Sequence, residues 1–220
     1  ATKLKNCVVV DVGSTSTSII PIVKSKVLAL GKTDLDKLIC GELVYAGSLR
    51  TNVAAIVNSI PIRNVVAGVA SELFALSGDV NLVLGNITEE DYSVETADGR
   101  GKTIPEALAR LARVVCADTE MLTRQEIIKM AEYISDKQIQ QVAEGLSKVY
   151  AYTKSLALGK VPVVVTGLGK NFIARKAAEK LCVAEILDLG TLLTDQAVLA
   201  TPAFGVALMA ASKLEGENAK

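Results

Sequence analysis

The spacing of hydrophobic positions changes several times along the chain. It opens with a continuous apolar run, Cys7-Val8-Val9-Val10, followed by Asp11, Val12 and Gly13. Five hydroxyl residues come next (Ser14, Thr15, Ser16, Thr17 and Ser18), then Ile19, Ile20, Pro21 and Ile22. A short β-branched run bounded by turn residues has the signature of a buried strand. The pattern therefore predicts a strand over Val8 to Val10 that ends at Asp11, a turn at Gly13, and a second strand running back antiparallel. Lys24-Ser25 is the next turn, and Lys26 to Leu30 reads as a third short strand closed by Gly31. Thr33 or Asp34 can cap a short helix through Leu38 and Ile39. Ile60 to Ala70 is expected to be strand and Glu72 to Leu84 a short helix.

Residues 85 to 103 show no apolar period. The spacing then becomes helical: Ile104, Leu108, Leu111 and Val115 follow a Thr103 cap, with Pro105 near the first position. Thr123, with Glu126 three residues later, has the form of a capping box. It opens a longer stripe of Ile127, Met130, Ile134, Ile139, Val142, Leu146 and Val149, with a break expected near Ser135-Asp136. The last quarter alternates again. Val161 to Val165 reads as a buried strand with Pro162 at its start, Ile173 to Leu181 as a helix, and Ala184 to Leu189 as a strand. After Gly190 and Thr194 a final helix is expected, with Pro202 near its first turn and Phe204, Val206, Leu208 and Met209 inside it. The expected fold class is α/β, with a mixed sheet of antiparallel and parallel strands.

Composition narrows the function classes. Half of the 220 residues are hydrophobic, which is enough for a sizeable core without staples. Lys plus Arg and Asp plus Glu both number 24, so there is no electrostatic case for nucleic acid or a membrane surface as a partner. Aromatic residues are 4% and Trp is absent, which argues against base-stacking platforms. The four cysteines (Cys7, Cys40, Cys116, Cys182) are far apart, a pattern of reduced thiols in a cytoplasmic protein. No stretch is long and apolar enough to span a bilayer. The chain has no histidine. That excludes Ser-His-Asp and Cys-His catalysis and the common His-based zinc sites. Carboxylates, Lys, Arg, Tyr, hydroxyls, backbone amides or a metal must do any chemistry.

The first turn is the leading candidate. Consecutive amides at Gly13, Ser14, Thr15, Ser16 and Thr17, fringed by hydroxyls, suit a phosphate, and Asp11 stands where a strand-end carboxylate can hold Mg²⁺ directly or through water. An ordinary hairpin with a polar turn has the same pattern. The second candidate is Gly167-Leu168-Gly169, a glycine corner between a strand and a helix, where α/β sheets bind ligands. The segment from Gly41 to Thr51 reads first as a strand between glycine turns. Its other reading is a substrate-facing segment holding Glu42, Tyr45, Arg50 and Thr51, with Arg50 offered to a carboxylate or phosphate. The 85–103 stretch, with Asp91, Asp98, Arg100 and Lys102, is either a mobile surface loop or a functional one.

The order of three strands, helix, insertion, helix, strand, helix, strand, helix, with a glycine loop at the first turn and another after the fourth strand, resembles one half of the ribonuclease H-like, actin-like ATPase fold shared by sugar kinases and chaperone ATPases. On that resemblance, residues 1–60 hold the opening meander and first helix, 61–157 a largely helical insertion, and 158–220 the closing part of the same half. Three blocks sharpen the likeness: residues 10–21 (Val-Asp-Val-Gly-Ser-Thr-Ser-Thr-Ser-Ile-Ile-Pro), 41–51 (Gly-Glu-Leu-Val-Tyr-Ala-Gly-Ser-Leu-Arg-Thr), and 98–102 (Asp-Gly-Arg-Gly-Lys) with 109–118 (Ala-Arg-Leu-Ala-Arg-Val-Val-Cys-Ala-Asp). They resemble an archaeal hydantoinase/oxoprolinase-type family linked to one-carbon transfer on tetrahydromethanopterin, with a furanmethanamine synthase activity in methanofuran biosynthesis.

The resemblance implies a transferase. A furanylmethyl diphosphate loses diphosphate to the phenol oxygen of γ-glutamyltyramine, forming an aryl ether. It implies Mg²⁺ placed by Asp11, no organic cofactor, and diphosphate cradled by residues 13 to 17. Arg50, Arg100 or Lys102 would add positive charge, and Glu42 or Asp91 would accept the phenol proton. The alternatives are an ATP-dependent amidohydrolase like oxoprolinases, and a non-catalytic nucleotide-binding or subunit-contact module. Ser18 stands where related ATPase loops commonly carry an acid, which argues against ATP hydrolysis. Relatives also have an amino-terminal half with its own Asp-x-Gly loop, so the resemblance implies a fragment, a missing half, or a homo-oligomer completing the cleft around a small phosphorylated substrate.

Overall fold

A computed structural model describes residues 4–191, 193, 197, 198 and 201–218. Thr194, expected before the last helix, lies outside them. The opening strand, β1 (Cys7–Val12), runs through Asp11, its predicted end, to Val12 because both residues still pair with β2 (Thr17–Val23), at Ser18 and Thr17. The third strand, β3 (Lys26–Val27), is shorter than predicted. The chain turns off after it because the amides of Leu30 and Gly31 donate to the Glu42 carboxylate (2.6 and 2.9 Å). Helix α1 (Asp34–Cys40) carries the expected Thr33 cap, closed by Asp36 into a capping box. Strand β4 (Leu43–Val44) then pairs with Thr17 and Ser18 of β2, on the same outer edge as β3.

After α2 (Val53–Ile56), the single strand expected over Ile60 to Ala70 is a hairpin: β5 (Ser59–Ile62) against β6 (Val65–Gly68). Its two-residue turn is Arg63-Asn64, at φ 49° and 65°, a left-handed turn made without the glycine that usually announces it. Helices α3 (Ser77–Val83) and α4 (Ile104–Arg113) follow. Then α5 (Arg124–Leu156) runs 33 residues, about 50 Å, without the break expected near Ser135. The helix continues there because its apolar stripe changes neighbour rather than ending. Ile127, Met130, Ala131 and Ile134 pack with α2, α3, α4 and the hairpin, and Ile139, Val142, Leu146 and Val149 pack under the main sheet.

The chain closes with β7 (Val163–Thr166), a π-helical turn at Lys170–Ala174 leading into α6 (Arg175–Lys180), β8 (Ile186–Asp188) and α7 (Thr201–Asn218). The sheet order is β3-β2-β1-β7-β8, with β4 on β2. β1 and β2 are antiparallel, whereas β7 runs parallel to both β1 and β8. Val8, Val10 and Val12 are fully buried against α5 and α6, and among the described residues the opposite face carries a small cluster around Cys7, Ile22 and Val164. The molecule is thus an α/β fold on a mixed sheet. Among the described residues no helix is long and apolar enough to cross a membrane.

Candidate functional site

The parallel pairing of β1 with β7 places Asp11 beside Thr166, so the two glycine corners leave the sheet side by side. They are in contact. The Gly169 amide donates to Val12 O (3.0 Å), and Gly167 (φ 83°) lies against Asp11 so closely that a Cβ there would collide with Asp11 Oδ1. Only glycine has both the backbone freedom and the room. A side chain at Gly169 would meet Val12 and, at 2.6 Å, Ser48 Oγ.

The first turn is closed by Gly13 N–H donating to Ser16 O (3.0 Å), while the amides of Ser14 and Thr15 have no acceptor among the described residues. Its carbonyls are clamped from below. Ser48 N–H donates to Gly13 O (2.8 Å), and Leu49 and Arg50 amides both donate to Ser14 O (3.0 and 2.9 Å). Gly47 makes this approach possible, since a Cβ there would sit 2.5 Å from the Thr15 carbonyl carbon. The clamp is itself held by buried polar side chains on the helices. Gly47 O accepts from Ser77 Oγ (2.9 Å) and Gln138 Nε2 (2.7 Å), and Ser48 O accepts from Asn81 Nδ2 (2.8 Å). Thr51 Oγ1 accepts from the Gly47 amide (2.9 Å), so the expected substrate contact at Thr51 is instead a buried tie within the clamp.

Two side chains in this crevice also lack partners among the described residues. The Asp11 carboxylate is partly buried and makes no hydrogen bond or ion pair with the described residues, and burial raises its pKa above the ordinary aspartate value. Ser48 Oγ is fully buried and has no hydrogen-bond partner among the described residues. Buried polar atoms are normally satisfied, so an orphan in a crevice marks a place for something else. Thr166 Oγ1 lies 2.7 Å from Thr201 Oγ1, which brings the first turn of α7 to the same strand end. Lys170 pairs with Asp188 at the end of β8 (3.0 Å). Against the cost of partial burial, the Gly190 amide and Lys170 hold Asp188 below the usual carboxylate range.

Other predicted residues are placed elsewhere or otherwise engaged. Thr17 is buried and gives its hydroxyl proton to Ala46 O (2.7 Å), so that proton is not available to an anion. Both Glu42 oxygens accept backbone amides, and Asp91 accepts from the amide and hydroxyl of Thr88 (2.9 and 2.8 Å). Each carboxylate thereby holds a loop. Arg50 is exposed at the lip of the first turn, Tyr45 is 66% exposed near it, and Leu168 packs on the core. Arg100 pairs with Asp98 (3.8 Å) and Lys102 lies 5.6 Å from the Tyr92 ring centre. Among the described residues neither Arg100 nor Lys102 hydrogen-bonds to either corner.

The 85–103 stretch is tied down by a network that composition alone conceals. Arg110, 1% exposed, lies 2.7 Å from Asp79 Oδ1, and its other nitrogen reaches Asp98 Oδ1 (3.2 Å) and Gly101 O (3.0 Å). Sequence reasoning missed Ser48, Ser77, Asn81, Arg110 and Gln138 as supports. The available signal was polarity on an apolar stripe: Gln138 falls four residues after Ile134 and four before Val142. Among the described residues no three Asp, Glu, Cys or His side chains are grouped as a metal site.

The profile of the hydantoinase/oxoprolinase family matches residues 1–213. A (4-{4-[2-(gamma-L-glutamylamino)ethyl]phenoxymethyl}furan-2-yl)methanamine synthase of Methanocaldococcus jannaschii is 40% identical over 210 residues, covering 96% of this chain and 61% of that protein. A synthase of the same name from Methanococcus vannielii is 38% identical over 218 residues, covering 98% of this chain and 94% of that protein. The chain thus spans under two thirds of the length of the first of these relatives.

Proposed function

The chain belongs to the hydantoinase/oxoprolinase family, and from that premise we propose that it is a transferase of methanofuran biosynthesis, built on one half of a ribonuclease H-like, actin-like fold. The product in the relatives' name is an aryl ether: a furan carries an aminomethyl group and a methylene joined to the phenol oxygen of γ-glutamyltyramine. The matching reaction starts from a furanylmethyl diphosphate. The phenol oxygen forms the new C–O bond and gives up its proton to solvent water. The bond from the methylene carbon to diphosphate breaks, and its electron pair leaves with diphosphate.

The observation that carries this reading is the meeting of two glycine corners at a carboxylate with no partner. Negative charge develops on the leaving diphosphate, and fixed donors aimed at such charge are a large catalytic term. The free amides of Ser14 and Thr15, with the hydroxyls of Ser14, Thr15 and Ser16, are the donors on the first corner, and Ser48 Oγ lies against the second. Arg50 at the lip would add positive charge. Asp11 fits a Mg²⁺ site, since that ion is usually held by one or two carboxylates with phosphate oxygens and waters completing the shell. Bound there, Mg²⁺ would neutralise the diphosphate. With Glu42 and Asp91 engaged in loop hydrogen bonds, Asp11 is the free carboxylate of the crevice.

The test is to supply the furanylmethyl diphosphate and γ-glutamyltyramine with Mg²⁺, following ether by mass spectrometry and released diphosphate by a coupled assay. Both products are expected in equal amounts. Hydrolysis of ATP with no ether would overturn the transferase reading in favour of an amidohydrolase.

A further inference from the structure

Helix α1 buries none of its seven residues. Leu35, Leu38 and Ile39, spaced as one helical stripe, are 67%, 46% and 69% exposed. Val27 and Leu30 on the approach to α1, and Tyr45 beyond it, are more than half exposed as well. A seven-residue helix is marginal in water on its own, and a capping box contributes only about 1 kcal/mol. An apolar stripe with no core behind it, on a helix this short, marks a surface made to be covered.

The placement limits how it can be covered. β3 and β4 both lie on the outer edge of β2, at its two ends, and α1 joins them. Between them Leu28 N–H donates to Pro21 O and Ile19 N–H donates to Glu42 O, and Pro21 has no amide to offer. The edge of β2 is thus closed to another strand, which leaves side-chain packing on α1 as the route.

We propose that a second copy of this chain covers this face, with α1 packed antiparallel on α1 of its partner about a two-fold axis. Charge selects this occupant. Asp34 stands in the first turn of α1, 78% exposed and paired only at the surface with Lys37 of the same helix (3.6 Å), one turn before Leu38 on the stripe. At the other end Gly41 closes the helix, and the exposed Lys148 of α5 lies beside it, its Cδ 3.2 Å from where a Cβ on Gly41 would stand. An antiparallel pairing brings the acidic end of each α1 onto the basic end of the other, and it also opposes their dipoles. The zero formal charge of the whole chain adds no long-range repulsion between copies.

Sedimentation velocity on the 220-residue chain tests this. At tens of micromolar the expected species has twice the 23.1 kDa chain mass. Leu35→Asp and Ile39→Asp, both at exposed positions, should weaken association at least tenfold with unchanged thermal melting of the rest of the fold. Asp34→Lys and Lys148→Glu should each weaken it, and an equimolar mixture should recover dimer, because both charge contacts are restored in the mixed species. A monomeric wild-type chain would overturn the proposal; it would assign the face to a segment such as the additional length of the Methanocaldococcus jannaschii relative. A dimer indifferent to all four substitutions would overturn it equally.

Discussion

At the scale of the residue, the crevice sets stability against chemistry at Asp11. Burial raises the Asp11 pKa in the folded chain above its unfolded value near 3.8. In the window between those two values the folded state binds the proton more readily, so stability falls as pH rises through it. Above that window the unpartnered carboxylate is a cost to the fold. Asp11→Asn removes that cost while keeping the shape. The expected result is a melting temperature raised by a few degrees in ligand-free buffer near neutral pH. Ether formation is expected to fall on the order of 10²-fold, as for loss of one electrostatic group at a reacting centre. Calorimetry and the ether assay on one preparation check both. A variant less stable and fully active would mean that Asp11 is a structural residue.

At the scale of the element, α5 decides how the two cores share one chain. Its stripe was legible from Thr123 onward because a 3.6 period and a capping box are local properties. Its continuity through Ser135 was not, because the reason lies in two different sets of neighbours. Gly145 makes the same point. Gly→Ala inside a helix ordinarily stabilises by about 1 kcal/mol. Here an added Cβ would stand 2.7 Å from Val44 Cγ2 and 3.1 Å from Gly41 O, where α5 crosses β4 and the end of α1. Gly145→Ala is therefore expected to destabilise, measured as a lower denaturant midpoint with an unchanged slope. The hairpin turn at Arg63-Asn64 is weakly marked for a related reason: pairing between β5 and β6 holds two non-glycine residues left-handed, and Asn64 is the one local turn signal there.

At the scale of the whole molecule, the buried Arg110 network joins α3, α4 and the loop before α4 beneath the crevice. Removing one partner of a buried pair leaves the other charge uncompensated, a loss of about 3–5 kcal/mol. Arg110→Met should therefore lower stability by that order, because Asp79, fully buried, loses its partner. Asp79→Asn combined with Arg110→Met should recover part of it. Urea unfolding of the single and double variants measures the difference. Hydrogen exchange in residues 96–101 should rise in Arg110→Met, since Asp98 and Gly101 O lose their anchor.

Local patterning sets most of the elements and the chemistry still open to them. Runs of β-branched residues, capping boxes and glycine corners act within a few residues, and the lack of histidine removes whole reaction classes at once. Those same signals located Asp11, the hydroxyl turn and the second glycine corner. Which of these meet follows from strand pairing and packing. Parallel pairing of strands some 150 residues apart sets Gly167 against Asp11, and Gly169 comes to lie beside the unpartnered Ser48 Oγ, while bonds of shorter range commit Thr17, Thr51, Glu42 and Asp91 to holding the backbone. A carboxylate or hydroxyl has the same letter whether it binds a ligand or a loop amide. Which it does depends on what the folded backbone brings within 3 Å, and for Asp11 that is set by a strand far away in the sequence.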